Sequence, residues 1–179
     1  RAGIGQYHLM VGYPTCTYFS GDGEAIDVMS QILERRALNT LRDGNTTFDK
    51  GTYRVRVFTE RTAWYGILAA RMATVSGEYA EQSRQVIVTE ARRLCSESVS
   101  SSECDEIVAM LKEEVLSSFR SSPSSLADMV IHATCNGDLD LQHMHNQLYR
   151  LNRVTPRRIR EVAQKYFSKG HCYALIKPA

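Results

Sequence analysis

The sequence has no long hydrophobic run, no strong excess of charge of one sign and few cysteines. No apolar stretch approaches the roughly 18 residues that a bilayer-spanning helix needs, so we predict no membrane span. The 22 lysines and arginines are interspersed with 20 aspartates and glutamates, and the formal net charge is +2. Because no basic stripe with interleaved aromatics is present, the composition argues against a nucleic-acid partner. The hydrophobic fraction of 43% is ordinary for a soluble globular protein.

Cysteine is too sparse and too irregularly spaced to indicate a disulfide framework or a metal site. There is no C-x-x-C pair, and an odd, scattered set favours small buried apolar residues. A bridge between the second and third cysteines of the chain stays open as an alternative, because they flank a short polar stretch. The five cysteines are Cys16, Cys95, Cys104, Cys135 and Cys172.

The N-terminal residues Arg1 to Gly5 carry no secretory signal pattern. The chain enters a strand almost at once, so we interpret residues 1–179 as one domain that forms a fragment of a longer polypeptide. This length is sufficient to bury a hydrophobic core. The compartment stays open: the periplasm or cytoplasm in a bacterium, or the mitochondrion in a eukaryote.

Alternation of apolar and polar residues predicts three strands in the first half of the chain. The first runs from Gln6 to Tyr13 and is closed by Pro14. The second and third form a long hairpin over Gly51–Arg61 and Trp64–Val75, with Trp64 packed inside it; an interface role for Trp64 stays open as the alternative. In the second strand one face carries Tyr53, Val55 and Val57, and the other carries Thr52, Arg54 and Arg56.

Apolar residues at three- and four-residue spacing predict helices over most of the remaining chain. Thr155-Pro156 is a clear helix start, since it places a hydroxyl at the cap and proline at the first helical position. The predicted helices cover Ile26–Arg42, Glu78–Leu94, Ser102–Phe119, a short segment to Thr134, Leu139–Leu151 and Thr155–Phe167, followed by a strand over Cys172–Ile176. Hairpin pairing beside segregated helices indicates an α+β fold, with a largely antiparallel sheet covered by several helices.

Four stretches, in this order, carry a resemblance to a known family. They are Met10-Val11-Gly12-Tyr13-Pro14; Leu41-Arg42 with Gly51-Thr52-Tyr53-Arg54-Val55; Glu90-Ala91-Arg92-Arg93-Leu94 with Ser102-Glu103-Cys104; and Leu151-Asn152-Arg153-Val154-Thr155-Pro156 with Val162-Ala163-Gln164-Lys165-Tyr166-Phe167 and Leu175-Ile176-Lys177-Pro178. Over nearly its whole length the chain resembles the second, non-zinc domain of one half of insulinase/pitrilysin-type zinc metallopeptidases. The resemblance implies a processing-peptidase-like domain.

The resemblance also implies partners and a metal outside this chain. Family members close two homologous halves into a clamshell around peptide substrate, and each half contains two domains of similar fold. Zinc sits in the first domain of the active half, on an inverted H-x-x-E-H helix. None of the five histidines here is followed by Glu at the required place, and H-E-x-x-H is absent as well. We therefore expect no cofactor in this chain and zinc only in a partner domain.

Arg42 and Tyr53 are the candidate substrate-binding residues that the resemblance implies. In active members the half opposite the zinc supplies an Arg and a Tyr from a Leu-Arg…Tyr element, and such donors suit a developing oxyanion. Here Asp43–Thr52 forms a longer polar loop between them. Two alternatives stay open: Arg42 as the solvated end of a helix, where a cation suits the dipole, and Tyr53 as a core residue.

His143 and His145 form an H-x-H pair that could supply two metal ligands if it lay on a strand. On a helix, a spacing of two points the rings to different faces, which favours a surface pair. The acidic runs Glu113-Glu114 and Glu103-Cys104-Asp105-Glu106 are interpreted as solvated helix faces rather than acid/base sites.

The sequence thus predicts a non-catalytic domain of a zinc peptidase that helps to enclose and bind peptide substrate. Two alternatives remain: an architectural subunit derived from an inactive homologue, and a module that grips an extended peptide along a sheet edge. The expected partners are an upstream domain of the same polypeptide, a homologous half and peptide, and a homodimer is a further candidate.

Overall fold

A computed structural model of the chain describes residues 5–43 and 52–178. The order of strands and helices follows the sequence prediction closely, and the result is an α+β arrangement. The elements are β1 (Tyr7–Thr15), α1 (Gly23–Asp43), β2 (Thr52–Arg61), β3 (Gly66–Thr74), α2 (Gly77–Ser96), α3 (Ser101–Ser121), α4 (Pro123–Cys135), α5 (Gln142–His145), α6 (Gln147–Leu151), α7 (Pro156–Phe167) and β4 (Cys172–Ile176).

The four strands form one antiparallel sheet in the order β2-β3-β1-β4. β2 and β3 are joined by the short turn at residues 62–65, while β1 and β4 bring the two ends of the described chain side by side. The register is regular except for a shift between Thr52 and Arg54 at the start of β2. The predicted antiparallel α+β fold is confirmed.

Every second residue of the strands faces a core that α1, α2 and α7 complete. Val11 of β1, Leu68 of β3 and Ile26, Met29 and Ile32 of α1 are among the fully buried side chains. Burying each such side chain contributes about 1.5–3 kcal/mol. Because strand residues alternate between faces, the inward positions fix which residues remain on the opposite face.

Hydroxyl side chains start the later helices where the sequence predicts helix starts. The side chains of Ser76, Ser100, Ser122 and Thr155 each accept a hydrogen bond from the backbone N–H three residues on. These caps satisfy donors that have no partner within the helix.

Pro14 does not close β1 as predicted but lies inside it, opposite Ile67 of β3. Pairing between β1 and β4 ends at Gly12 and Cys172, so among the described residues β1 has a single neighbouring strand at this point. A missing backbone N–H is tolerated where one side of a strand has no ladder.

Two further predictions are wrong. Trp64 does not pack inside the hairpin: it lies in the β2–β3 turn, and its side chain is 88% exposed. Residues 139–151 do not form one helix but the two short helices α5 and α6, separated at Asn146. Leu141 before α5 adopts a left-handed conformation with φ of 59°, which starts that helix late.

Ion pairs hold the outer helices against α1. Arg36 contacts Glu103 of α3 through two hydrogen bonds of 3.1 and 2.6 Å, and Arg35 contacts Glu106 through two of 2.8 and 2.7 Å. The predicted solvated acidic face of α3 is thus partly a helix-helix contact. Paired, two-point guanidinium–carboxylate contacts of this kind fix the orientation of both groups.

Candidate functional site: the uncovered face of the sheet

One face of the sheet packs against helices, whereas none of the helices in residues 5–43 and 52–178 packs on the other. Strand register assigns the outward side chains to four rows that run across the sheet. We call this surface the open face. Its rows are Arg54–Ala73–His8–Ile176, Arg56–Arg71–Met10–Ala174, Phe58–Ala69–Gly12–Cys172 and Glu60–Ile67–Pro14.

The first two rows form a basic end on the open face. Arg56 of β2 lies directly opposite Arg71 of β3, and Arg54 lies two residues earlier on the same face of β2. His8 lies on the far side of Ala73 from Arg54. These side chains line a cleft of about 280 Å³. We call Arg54, Arg56, Arg71 and His8 the basic cluster.

The basic cluster has no acidic neighbour within its own rows. The three arginines are exposed, and none makes an ion pair with another described residue. Directly opposite residues of antiparallel strands have Cβ atoms about 5 Å apart, and like charges at that separation destabilise the pairing. The arrangement is therefore unfavourable for the sheet alone and favourable for an anionic group placed over it.

The remainder of the open face is largely apolar. Met10 is 40% exposed and Ile176 is 55% exposed. Gly12 adds no side chain to the open face, and a Cβ at this position would lie 3.4 Å from the Cys172 sulfur. The open face can thus contact a ligand through both guanidinium groups and apolar side chains.

The structure gives the positions of Arg42 and Tyr53 only in part. Arg42 is an exposed residue of the last turn of α1, where its charge suits the helix dipole. The backbone of Tyr53 lies in β2 at the register shift before Arg54, but its side chain lies outside the described residues, as does the segment 44–51. Whether the two side chains meet stays a prediction.

The H-x-H pair is divided between two environments. The His143 ring lies 4.7 Å from the Tyr18 ring, measured between centroids, whereas His145 is exposed. Burial lowers the pKa of His143, and the nearby charge of Arg150 acts in the same direction. Among residues 5–43 and 52–178, no three His, Cys, Asp or Glu side chains are grouped as metal ligands would be.

A second polar cleft of about 440 Å³ lies beside Tyr18, between the hairpin end of the sheet and the helices α4 to α6. Asp138 organises this region, because its carboxylate accepts the backbone N–H groups of His143 and Met144 at 3.1 and 2.8 Å. Burial works to raise the pKa of Asp138, but these hydrogen bonds and the Tyr18 hydroxyl lower it overall. The oxygens of the Asp138 carboxylate thus already accept hydrogen bonds from groups within the chain.

The cysteines follow the prediction in part. All five are free thiols, so the bridge between Cys95 and Cys104 is not formed. Cys16 and Cys104 are buried as expected, but Cys135 and Cys172 are exposed.

Two features of the molecule were missed from sequence. The alternation in β2 indicated that Arg54 and Arg56 share a face, but nothing local showed that Arg71 lies beside them, because that depends on register. Asp22 was not singled out from sequence, yet it is 4% exposed and joins the start of α1 to α7. No local signal marked it, because its side-chain partners lie on α7, at least 136 residues further along the chain.

No protein-family model matches the sequence, and no curated protein matches it either. Solved structures do match its fold. The inactive peptidase domain of a candidate zinc protease from Bordetella parapertussis is 17% identical, with a TM-score of 0.82; the alignment covers 100% of this chain and 96% of that one. The M16 peptidase inactive domain from Pseudomonas fluorescens is 17% identical, with a TM-score of 0.73, and complex III from Candida albicans is 8% identical, with a TM-score of 0.79.

For the last two matches, the alignment covers most of this chain but less than half of the matched chain. The alignments cover 95% and 96% of this chain but 40% and 43% of the Pseudomonas and Candida chains. This chain therefore spans less than half of those proteins and nearly all of the Bordetella domain. None of the described helices is long and apolar enough to cross a membrane. By its architecture, the chain has the fold of the inactive peptidase domains of the M16 family, the insulinase/pitrilysin fold that its motifs predict.

Proposed function

We propose that this chain is a non-catalytic domain of a zinc metallopeptidase, and that its open face forms part of the wall that encloses peptide substrate. The open face carries this proposal, because a sheet with one helix-covered face and one exposed basic and apolar face is suited to bind something else. The neighbours of known structure include two that are named as inactive peptidase domains, which supports the assignment to a peptidase.

Catalysis is assigned to another domain on the grounds of sequence. The chain has five histidines, and none belongs to an H-x-x-E-H or H-E-x-x-H motif. Zinc chemistry of this type needs two histidines on one helical face and a glutamate that activates the bound water. We therefore expect zinc to be held by a partner domain and the purified chain to bind no stoichiometric zinc on metal analysis.

Site-specific photo-crosslinking tests the role of the open face. Benzoylphenylalanine is introduced at Met10 on the open face or, as a control, at Phe119 on α3; the two side chains are 40% and 39% exposed. A labelled mixture of unstructured peptides is then irradiated with each variant. We expect crosslinks from position 10 and few from position 119. Equal labelling at both positions would contradict a peptide-binding role for the open face.

The role of Arg42 and Tyr53 toward substrate is part of the same proposal. In a peptidase whose zinc site faces this domain, the Tyr53 hydroxyl would donate to the substrate carbonyl beside Arg42. Tyr53→Phe would then lower turnover about a hundred- to a thousandfold, while leaving the free energy of unfolding unchanged. Tyr149→Phe, which alters an exposed ring of α6, is the control. If Tyr53→Phe left turnover unchanged, the Tyr53 hydroxyl would have no role toward substrate and the ring would serve packing.

An architectural role is the second candidate, and the likeness to complex III supports it. A longer polypeptide that contained this chain would distinguish the two, because an H-x-x-E-H helix upstream would favour the peptidase. The sheet-edge alternative has a specific obstacle at β2, where the Val57 N–H already donates to the Glu34 carboxylate at 2.5 Å. β4 is the other edge of the described sheet and is the better candidate for strand addition.

A further inference from the structure

We infer that the basic cluster selects acidic peptides in extended conformation, with carboxylates at every second residue. This inference rests on the proposed function and adds a substrate class to it. The basic cluster has a combination of charge, spacing and exposure that the fold alone does not require.

The charge arrangement is the first argument. Arg56 and Arg71 are directly opposite each other, Arg54 adjoins them, and no acidic side chain belongs to their two rows. Arg35, Arg36 and Arg61 each contact a carboxylate at two points. The exposed arginines Arg92 and Arg160 make no ion pair with another described residue. The three open-face arginines differ because they lie side by side around one cleft, so a ligand with several carboxylates can supply counter-ions to all three.

The spacing is the second argument. Arg54 and Arg56 are two residues apart on one strand, so their Cα atoms lie about 7 Å apart and their side chains point to the same face. An extended peptide presents its own side chains with this same repeat. Carboxylates at positions i and i+2 of such a peptide can therefore each meet one guanidinium, and Arg71 can contact either of them from the neighbouring strand.

The size of the cleft is the third argument. A volume of about 280 Å³ accommodates one or two carboxylate side chains rather than a folded element. Met10 and Ile176, at the margin of the cluster, give exposed apolar contacts for the neighbouring residues of the same peptide. Arginine is also well suited to bind carboxylates, because its planar guanidinium group can donate two hydrogen bonds to one carboxylate.

A pair of matched peptides and two matched double variants test the inference. The probe is a fluorescein-labelled peptide of alternating Glu and Ser, and its partner has Gln in place of each Glu. Arg56→Gln with Arg71→Gln removes two charges from the open face. Arg92→Gln with Arg160→Gln removes the same charge from exposed positions on α2 and α7. Binding is measured by fluorescence anisotropy, and folding by circular dichroism.

We expect the Glu peptide to bind the unaltered chain at least about tenfold more tightly than the Gln peptide, because hydrogen bonds between guanidinium and carboxylate groups are stronger than those to a neutral amide. The open-face double variant should lose this preference, and the helix double variant should keep it. Equal weakening in both variants would overturn the inference, since it would show a general effect of net charge.

The remaining outcomes separate the inference from the proposed function. If both peptides bind equally and crosslink to position 10, the open face binds peptide without preference for acid: the inference fails and the proposed function stands. If neither peptide binds nor crosslinks there, both fail.

Discussion

Asp22 joins parts of the chain that lie far apart in sequence. Its carboxylate accepts hydrogen bonds from Lys165 at 2.6 Å and from the Tyr166 hydroxyl at 2.8 Å, and it also contacts Arg158. Burial works to raise the pKa of Asp22, but these partners lower it overall. The start of α1 and the whole of α7 are thereby held together by one buried carboxylate.

The substitution Asp22→Asn should lower the free energy of unfolding by about 2–3 kcal/mol, because it removes the charge that three donors share. Since the folded pKa of Asp22 is depressed, its contribution is present above the unfolded value of about 3.9 and is lost as pH falls through the folded value. The variant should therefore show a shallower loss of stability below about pH 4. Urea unfolding at several pH values measures both effects.

Asp128→Asn is the control for this prediction, because Asp128 is an exposed residue of α4. It should change stability by no more than about 0.5 kcal/mol. If the two variants were equally stable, the contacts of Asp22 would contribute nothing measurable to the fold.

The hairpin of β2 and β3 sets the geometry of the open face. Gly66 begins β3 directly after the turn, and a Cβ at this position would overlap the backbone carbonyl of Cys16. Arg61 pairs with Gly66 at the turn, and the same register places Arg56 opposite Arg71 five residues further along the ladder. The register of this hairpin thus sets which side chains meet in the basic cluster.

Gly66→Ala should destabilise the chain by about 1–3 kcal/mol, because the backbone carbonyl of Cys16 must move to accommodate the added methyl group. The matched control is Gly21→Ala, where the added carbon would meet no atom within 4 Å. Thermal and urea unfolding compare the two variants. An equal effect of the two substitutions would show that the turn can relax around Gly66.

At the scale of the whole molecule, large apolar side chains remain exposed at the hairpin end of the sheet. Trp64 is 88% exposed, Leu139 is 81% exposed and Phe19 is 52% exposed. Contacts connect these segments: the Ala63 N–H donates to the Asn136 side chain at 2.7 Å, and Phe19 lies beside Gly137. An exposed group of this kind is typical of a surface that contacts another domain or a second copy.

We expect the isolated chain to self-associate through this end in a concentration-dependent manner, which sedimentation velocity measures. Trp64→Ser should shift the distribution toward the monomer, because it removes apolar area that association would bury. Tyr173→Ser is the control: it removes an aromatic ring of β4 that is 59% exposed, and it should leave association unchanged. A strict monomer without affinity for a companion domain would contradict the prediction.

The architecture was largely predictable because its elements carry strong local signals. Period-two alternation located β2, hydroxyl and proline residues located the start of α7, and helical spacing located α1 to within a few residues. The errors fall where local signals compete with tertiary context. Pro14 is tolerated inside β1 because β4 no longer pairs there, and the left-handed Leu141 divides a segment that has helical periodicity.

What the sequence determined by itself was therefore the order and type of the elements, the motifs of the M16 fold and the absence of an H-x-x-E-H or H-E-x-x-H motif. The open face and the basic cluster were decided by tertiary structure. Arg71 lies 15 residues beyond Arg56 in the printed sequence, and only the register of β2 against β3 places them side by side. Register depends on turn geometry and on burial of the opposite face, both of which are properties of the assembled sheet.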